Sequence, residues 1–190
     1  MFCAGTDARP PRADFAATAP FSGGGGSPAQ LRQGKKATVA AAKKFTEEKM
    51  EKKDALNVLS RHKLIVILRK IPDNLILPVV QALYDGGVRV CEMTFCPDGT
   101  MADDAVARQI NAVKTHFADD MVVGAGTVLA ARQVVLAADA GAQIIVSPDV
   151  NAEVIAESNR LSLVSVPGAL TPTEAMTAHR AGADYIKIFP

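Results

Sequence analysis

The sequence predicts an α/β fold with a parallel sheet, and more narrowly a (β/α)8 TIM barrel that is incomplete, with about six βα units present. Short apolar segments rich in β-forming residues alternate with amphipathic helical segments from residue 64 to residue 190, which is typical of parallel strands joined by helices. Polar residues lie at or near the carboxyl ends of several strands, and a barrel gathers such residues on one face. A doubly wound sheet would gather them at one crevice, and the stretch GAGTVL holds only half of a G-x-G-x-x-G motif.

The composition is that of a globular protein with almost no net charge. The chain has 190 residues, which is long enough for one hydrophobic core. Of these residues 48% are hydrophobic and 22% are charged, and the formal net charge is +1. Lysines are frequent between residues 35 and 63 but are interleaved with acidic residues, as on a solvated helix face. Because no apolar run reaches the length of a membrane span and no basic surface is indicated, we predict no nucleic-acid partner and no membrane partner.

The cysteines indicate a reducing compartment. Cys3, Cys91 and Cys96 are too sparse for a disulfide framework, so we expect a cytoplasmic protein. Organellar targeting by residues 1–49 stays open, because the first residues are rich in Ala and Arg, although two aspartates among them argue against a transit peptide. Cys91 and Cys96 lack the close spacing and the neighbouring histidines of a zinc site, so no metal and no cofactor are predicted.

Three segments divide the chain. Residues 1–34 are rich in Ala, Gly, Pro and Ser and are predicted to be a flexible, low-complexity extension. Residues 35–62 are predicted to form an N-terminal helix whose last turns carry an apolar stripe of Ala55, Leu56 and Leu59, which indicates that this end docks on another element. Residues 63–190 are predicted to form the partial barrel domain.

Within the barrel domain each strand is followed by a helix until the last strand. The predicted strands are LIVILR (64–69), VRVCEMTF (88–95), MVVGAGTV (121–128), AQIIVSP (142–148), LSLVSVPG (161–168) and DYIKIFP (184–190). The predicted helices cover residues 73–84, 101–117, 130–140, 151–158 and 172–179. The strands are continuously apolar rather than alternating, as expected for strands covered on both faces.

Local signals mark the ends of these helices. Thr171, Pro172 and Glu174 form the pattern of an N-cap, a first-position proline and a capping box. The helix-to-strand joints DGGV, DAGA and RAGA each contain a glycine that can end the helix in a left-handed conformation. These repeated joints support a series of equivalent βα units.

Charged residues inside apolar strands are the main functional signal. Side chains alternate along a strand, which predicts shared faces for Val88, Val90, Glu92 and Thr94, for Val123, Ala125 and Thr127, and for Tyr185, Lys187 and Phe189. If Glu92, Thr127 and Lys187 all point inward, a carboxylate, a hydroxyl and an amine meet in one barrel mouth. The alternative is structural, with Lys187 protecting an edge strand and Glu92 held in an ion pair.

Such a set suits Schiff-base chemistry. A lysine surrounded by apolar strand residues is expected to have a lowered pKa, because burial disfavours the charged form, and a neutral amine attacks ketones to give an imine. The imine withdraws electrons from the neighbouring carbon–carbon bond, and Glu92 is the available proton shuttle. The pattern therefore favours a class I aldolase.

Four segments in order resemble one known family. GGVRVCEMTF, VVGAGTVL, AQIIVSPD and VPGALTPTEAMTAHRAGADYIKIFP are similar to the 2-dehydro-3-deoxy-phosphogluconate (KDPG) / 4-hydroxy-2-oxoglutarate (KHG) aldolase family, from about residue 50 to residue 190. The resemblance implies a (β/α)8 barrel, commonly a homotrimer, that needs no metal. It also implies cleavage of short 2-keto-acids to pyruvate plus an aldehyde, as in the Entner–Doudoroff type of carbohydrate metabolism.

The resemblance also assigns residues. It implies that Lys187 forms the Schiff base, that Glu92 is the general acid/base and that Thr127 contacts the pyruvyl part. It implies further that Pro148 and Phe189 line the pocket. Arg69 and Thr94, at the ends of the first two strands, are further candidates for substrate binding.

Two departures from the family pattern stand out. Many members carry an arginine where this chain has Cys96, and a thiol cannot make the bidentate carboxylate contact of an arginine; Arg69 could supply the charge instead. The family also continues with two further βα units that carry the phosphate-binding loops, so we expect a fragment of a longer protein or a truncated gene model with an open sheet edge.

Two other functions stay open at this point. One is a non-catalytic remnant of such an aldolase that acts at most as an interaction module through its open edge. The other is a phosphate-binding barrel isomerase or synthase, since glycine-rich loops after parallel strands also suit those enzymes.

Overall fold

A computed structural model describes residues 50–190, so the predicted extension over residues 1–34 and the first part of the predicted N-terminal helix lie outside the described residues. The helices of the described part are α1 (Lys52–His62), α2 (Asp73–Asp85), α3 (Asp103–Phe117), α4 (Ala131–Asp139), α5 (Ala152–Arg160) and α6 (Pro172–Arg180). Its strands are β1 (Val66–Leu68), β2 (Val90–Thr94), β3 (Val122–Gly126), β4 (Ile144–Val146), β5 (Val164–Val166), β6 (Gly168–Ala169) and β7 (Lys187–Ile188). Strands and helices alternate as predicted, and the observed strands are shorter than the apolar segments that predicted them.

All strand pairs are parallel, and their order follows the chain. Strands β1 to β5 form one sheet in the order β1-β2-β3-β4-β5, and β6 pairs with β7. Only Pro167 separates β5 from β6, and the segment leading into β7 bonds to both, through Tyr185 N to the Ser165 carbonyl (3.2 Å) and Lys187 N to the Pro167 carbonyl (2.9 Å). The seven short strands therefore amount to six successive barrel strands, which confirms the predicted incomplete barrel.

A large hydrophobic layer lies between the strands and the outer helices. Cys91, Met93 and Val123 of the strands pack there with residues such as Val80 and Ile110 of the helices. These strand residues alternate with residues that point the opposite way, as the pleat of a strand requires. Helices α2 to α5 therefore cover one face of the sheet.

A second and smaller hydrophobic cluster fills the inside of the curved sheet. We call this set the inner cluster; it consists of Ala55, Val90, Val122, Ile144, Val146, Val164 and Val166. Four of its members are the first residues of β2, β3, β4 and β5. Ala55 of α1 packs on them together with the partly buried Leu56 and Leu59. The apolar stripe therefore docks on another element as predicted, and α1 covers the amino-terminal ends of these strands.

Polar contacts fasten α1 to the chain just before β7. Lys52 Nζ lies 2.8 Å from Asp184 Oδ2 and donates to Asn159 Oδ1 at 3.0 Å. Asp184 Oδ2 also accepts from the Ser165 backbone N at 2.8 Å. The Ser60 and Tyr185 hydroxyls share a hydrogen bond of 2.9 Å. These contacts tie α1, β5 and the segment before Lys187 together.

The predicted helix ends are confirmed. Gly87, Gly141 and Gly182 have φ of 93°, 96° and 93°, the left-handed conformation that glycine adopts without a Cβ penalty. Thr171 and Glu174 form the capping box at the start of α6, with proline in the first turn. Local sequence therefore determines how each βα unit is closed.

Two further properties concern residues 50–190. None of the helices in this range is both long and apolar enough to cross a membrane, and no group of three or more His, Cys, Asp or Glu side chains in it could hold a metal ion. Cys91 and Cys96 are buried free thiols. Burial raises the pKa of the Cys91 thiol to about 12, so this cysteine behaves as a small apolar residue.

Candidate active site

A cavity of about 640 Å³ joins the inside of the barrel to the surface between β1 and β7. Its lining comes from α1, from the inner faces of the strands and from the segment around β7. The lining residues are Leu59, Ser60, Lys63, Leu64, Ile65, Ile67, Glu92, Val146, Val166, Tyr185 and Lys187. Glu92 and Lys187, the two residues predicted to be catalytic, thus share one largely apolar cavity.

Glu92 lies inside the barrel on the face of β2 that also carries Val90 and Thr94. Only 3% of its surface is exposed, and burial raises the pKa of the carboxyl to about 7, although the positive charges of Lys187 and Arg69 act in the opposite direction. A carboxyl group with such a pKa can both accept and donate a proton near neutral pH.

Lys187 opens β7, and the prediction that apolar neighbours bury it is wrong for the described residues. The side chain is only partly buried, and the neighbouring Ile188 is 75% exposed. The physical reason is that β7 pairs with β6 on one side and with no strand of residues 50–190 on the other. The Lys187 ammonium lies 4.5 Å from the centre of the Phe189 ring, and its amine has access to the cavity.

Arg69 and Thr127 form a polar pair across the carboxyl ends of β1 and β3. Arg69 Nη2 donates to Thr127 Oγ1 at 2.9 Å. The prediction that Thr127 shares a face with Val123 and Ala125 is wrong, because those two residues pack in the outer layer. Thr127 follows β3 with a φ of 54°, and this left-handed residue interrupts the alternation of side chains.

The other predicted binding residues lie around this pair and around Lys187. Thr94 is buried, and its hydroxyl points at the Leu68 carbonyl at 3.4 Å. The Pro148 carbonyl packs against Gly168, which stands opposite Lys187 in the pairing of β6 with β7. Phe189 contacts Lys187 as described. The cavity lining itself includes none of Arg69, Thr94, Thr127, Pro148 and Phe189.

Cys96 lies just beyond the end of β2. Its thiol is buried and is 3.7 Å from the Thr94 carbonyl oxygen, the geometry of a weak sulfur hydrogen bond. The charge of Arg69, by contrast, reaches Glu92. Of these two residues, Arg69 is therefore the one that brings positive charge to the site.

Sequence reasoning missed two contributions to the site. Ser60 and Lys63 reach the cavity only because α1 docks under the barrel, and no short-range pattern predicts that position. Gly126 packs directly against the Glu92 carboxylate. The glycines inside β3 were the available signal, because a glycine within a strand often marks a close approach by another group.

The geometry combines an accessible amine, a buried carboxyl group whose pKa is raised to about 7, and an arginine whose charge acts on that carboxyl group. A sequence model of the KDPG and KHG aldolase family matches residues 56–190. The chain belongs to this family.

Individual relatives agree with the family match. The chain is 37% identical over 127 residues to the 2-dehydro-3-deoxy-6-phosphogalactonate aldolase of Escherichia coli strain K12, covering 67% of this chain and 59% of that protein. Among solved structures, one described as native KDPGal is 36% identical with a TM-score of 0.60, over 66% of this chain and 58% of that one. The KDPG aldolase of Legionella pneumophila, with pyruvate captured as a covalent carbinolamine intermediate, is 26% identical with a TM-score of 0.59, over 66% and 58%.

These relatives are longer than the matched region. The chain spans 59% of the E. coli relative and 58% of each of the two solved chains. The match therefore establishes the family and the barrel fold of the shared region.

Proposed function

We propose that the protein is a class I aldolase that cleaves 2-dehydro-3-deoxy-6-phosphogluconate, 4-hydroxy-2-oxoglutarate or both to pyruvate and an aldehyde. The observation that carries the proposal is the position of Lys187 and Glu92 on one cavity, with the Glu92 pKa raised to about 7. Two further facts support it: the family match, and the covalent pyruvate adduct of the Legionella relative.

The proposed reaction begins at Lys187. Its uncharged amine adds to the C2 carbonyl of the 2-keto-acid, and the carbinolamine takes up a proton at its hydroxyl group from the solvent and loses water to give a protonated imine. A carboxylate then removes the proton from the C4 hydroxyl, the C3–C4 bond breaks, and its electron pair neutralises the imine to form an enamine. The aldehyde departs, the enamine takes a proton at C3, and water releases pyruvate and the free amine.

Glu92 is the group proposed to move these protons. Near neutral pH it is present in both protonation states because its pKa is about 7, so it can accept the hydroxyl proton in one step and donate to C3 in the next.

Arg69 is proposed to bind the substrate carboxylate together with Thr127. Their hydrogen bond of 2.9 Å holds the guanidinium across the strand ends, and guanidinium groups bind carboxylates with paired hydrogen bonds. In this chain Arg69 would therefore bind the carboxylate, a contact that the thiol of Cys96 cannot make.

Reductive trapping tests the proposal. Borohydride added with pyruvate should attach one reduced pyruvyl group, and peptide mass spectrometry should find it on Lys187. Lys187→Met should abolish the adduct. Lys63→Met is the matched control, because Lys63 lines the same cavity and its loss should leave the adduct in place.

Cleavage assays separate the two substrates. Release of pyruvate from each 2-keto-acid is measured with lactate dehydrogenase, and the proposal expects turnover of at least one. A folded protein that forms no adduct and cleaves neither substrate contradicts the proposal. It would favour the non-catalytic alternative, in which the exposed edges of β1 and β7 serve binding.

A homotrimeric assembly is part of the proposal and is supported only by the family. Light scattering coupled to size-exclusion chromatography measures the mass in solution. A monomer with full aldolase turnover would contradict the trimer without affecting the chemistry.

A further inference from the structure

The Glu92 carboxylate occupies a space that exists because β3 carries no side chain at residue 126. A Cβ atom built on Gly126 would lie 2.6 Å from Glu92 Oε1, 2.8 Å from Glu92 Cδ and 2.9 Å from the Thr94 methyl carbon. Carbon–oxygen contacts this short are repulsive. The bare backbone of Gly126 is thus the wall against which the carboxylate rests.

We infer that Gly126 is a positioning residue for the proton shuttle: it fixes where the Glu92 carboxylate stands relative to Lys187. This inference rests on the proposed function for its catalytic meaning, although the packing contact itself does not depend on it. Gly126 does not touch the reacting atoms and acts only through Glu92.

A side chain added at residue 126 would collide with the side chains of Glu92 and Thr94 and not with the backbone. The φ of Gly126 lies outside the positive range, so an alanine there meets no conformational penalty of its own. Gly124, two residues earlier on the same face, differs, because its Cβ would meet the backbone oxygen of Ile144 at 2.9 Å. Alanine at 124 would disturb the strand pairing, whereas alanine at 126 must displace the Glu92 and Thr94 side chains.

Glu92 lines the cavity, so its carboxylate can move there when a side chain is added at residue 126. Such a move changes its position relative to Lys187 and Arg69, whose charges both act on it. A methyl group at 126 moves the carboxylate by a distance of the order of 1 Å, and a misplacement of that size can lower a rate about 100-fold. Formation of the imine at Lys187 needs no such placement of Glu92 and is expected to be largely retained.

Exchange of the pyruvate methyl protons in deuterated water isolates this step. The protonated imine of pyruvate loses a C3 proton to the Glu92 carboxylate, and the enamine then takes up deuterium at C3, so the exchange requires both residues but no aldehyde. NMR follows the exchange rate, and borohydride trapping follows imine formation on the same samples.

The expected result is selective. Gly126→Ala should slow exchange by about 10- to 100-fold and change the trapping rate by less than about 3-fold. Ala125→Gly is the matched control, since Ala125 directly precedes Gly126 in β3 but packs in the outer layer. This substitution should leave the exchange rate unchanged.

A shorter carboxylate supplies the decisive comparison. Glu92→Asp withdraws the carboxylate by one methylene and removes its contacts with a methyl group at 126, while the contact of that methyl group with Thr94 is the same in both backgrounds. In that background Gly126→Ala should change the exchange rate by less than about 3-fold, so that the two substitutions are strongly non-additive. Equal losses of exchange and trapping in Gly126→Ala, or additive effects of the two substitutions, would overturn the inference.

Folding and the failure of the proposed function are separable outcomes. If Gly126→Ala does not fold, the double variant with Glu92→Asp should fold, and an unfolded double variant would overturn the inference. If the unmodified protein shows neither adduct nor exchange, the proposed function fails. Urea unfolding of the unmodified protein, Gly126→Ala, Glu92→Asp and the double variant then still tests the packing contact. Non-additive changes in the free energy of unfolding would show that Gly126 and Glu92 are coupled.

Discussion

The buried Glu92 carboxyl should make stability fall with rising pH, and Glu92→Gln should remove this dependence. The folded protein holds the Glu92 proton more tightly, because the pKa rises from 4.5 to about 7 on burial. The stability that this group contributes is therefore fully present below pH 4.5 and is lost as the pH rises through about 7. At about 1.4 kcal/mol per pH unit, the change amounts to about 3 kcal/mol.

Urea unfolding at a series of pH values measures this effect. The free energy of unfolding of Glu92→Gln minus that of the unmodified protein should increase by about 3 kcal/mol from the acidic to the alkaline end of the interval. Glu157→Gln on α5 is the contrasting control: Arg160 lowers the pKa of that exposed carboxyl below 4.5, so the corresponding difference should stay constant over the interval in which Glu92 titrates and should change, in the opposite direction, only below about pH 4.5. Parallel profiles for Glu92→Gln and the unmodified protein would refute the assignment of a raised pKa to Glu92.

Three further substitutions test separate parts of the structure. Thr127→Val removes the acceptor of the Arg69 hydrogen bond and should raise the pyruvate concentration for half-maximal trapping about 3- to 10-fold, at roughly 0.5–1.5 kcal/mol per hydrogen bond, whereas an unchanged value would show that the pair does not bind the carboxylate. Thr171→Ala removes the capping box of α6 and should cost about 1 kcal/mol in urea unfolding, with Thr171→Ser as the variant expected to keep most of it. Ile110→Ala empties a fully buried position in the outer layer and should cost about 2–5 kcal/mol, measured in the same way; a cost below about 1 kcal/mol would contradict the packing described.

Short-range signals explain why the sequence predicted the elements well. The capping box at Thr171 and the left-handed glycines of the helix-to-strand joints act over a few residues, so their pattern is visible in the sequence itself. Continuous apolar segments likewise predicted strands covered on both faces. The observed strands are shorter because a strand extends only over the residues that pair with a neighbouring strand, and the sequence pattern does not contain that register.

The site was predicted in part, and its errors have particular causes. Alternation placed Glu92 inward correctly because β2 is regular through Thr94. It failed for Thr127 because a φ of 54° just after the strand turns this side chain away from the alternating pattern. Threonine gives no sequence signal for such a backbone conformation. The exposure of Lys187 could not be predicted from its apolar neighbours, since it depends on which strands pair with β7.

The inner cluster gives α1 a distinctive place in folding. Ala55 meets first residues of strands that lie as far along the chain as Val164, so its packing surface exists only after several βα units have assembled. Contacts so distant in sequence form late and carry a large loop-closure cost, whereas the outer helices meet strands adjacent in sequence. We therefore expect α1 to be the last element to dock and its amides to exchange with solvent before those of α3. An opening of α1 would admit water to the barrel interior from below, towards Glu92, without disturbing the outer layer.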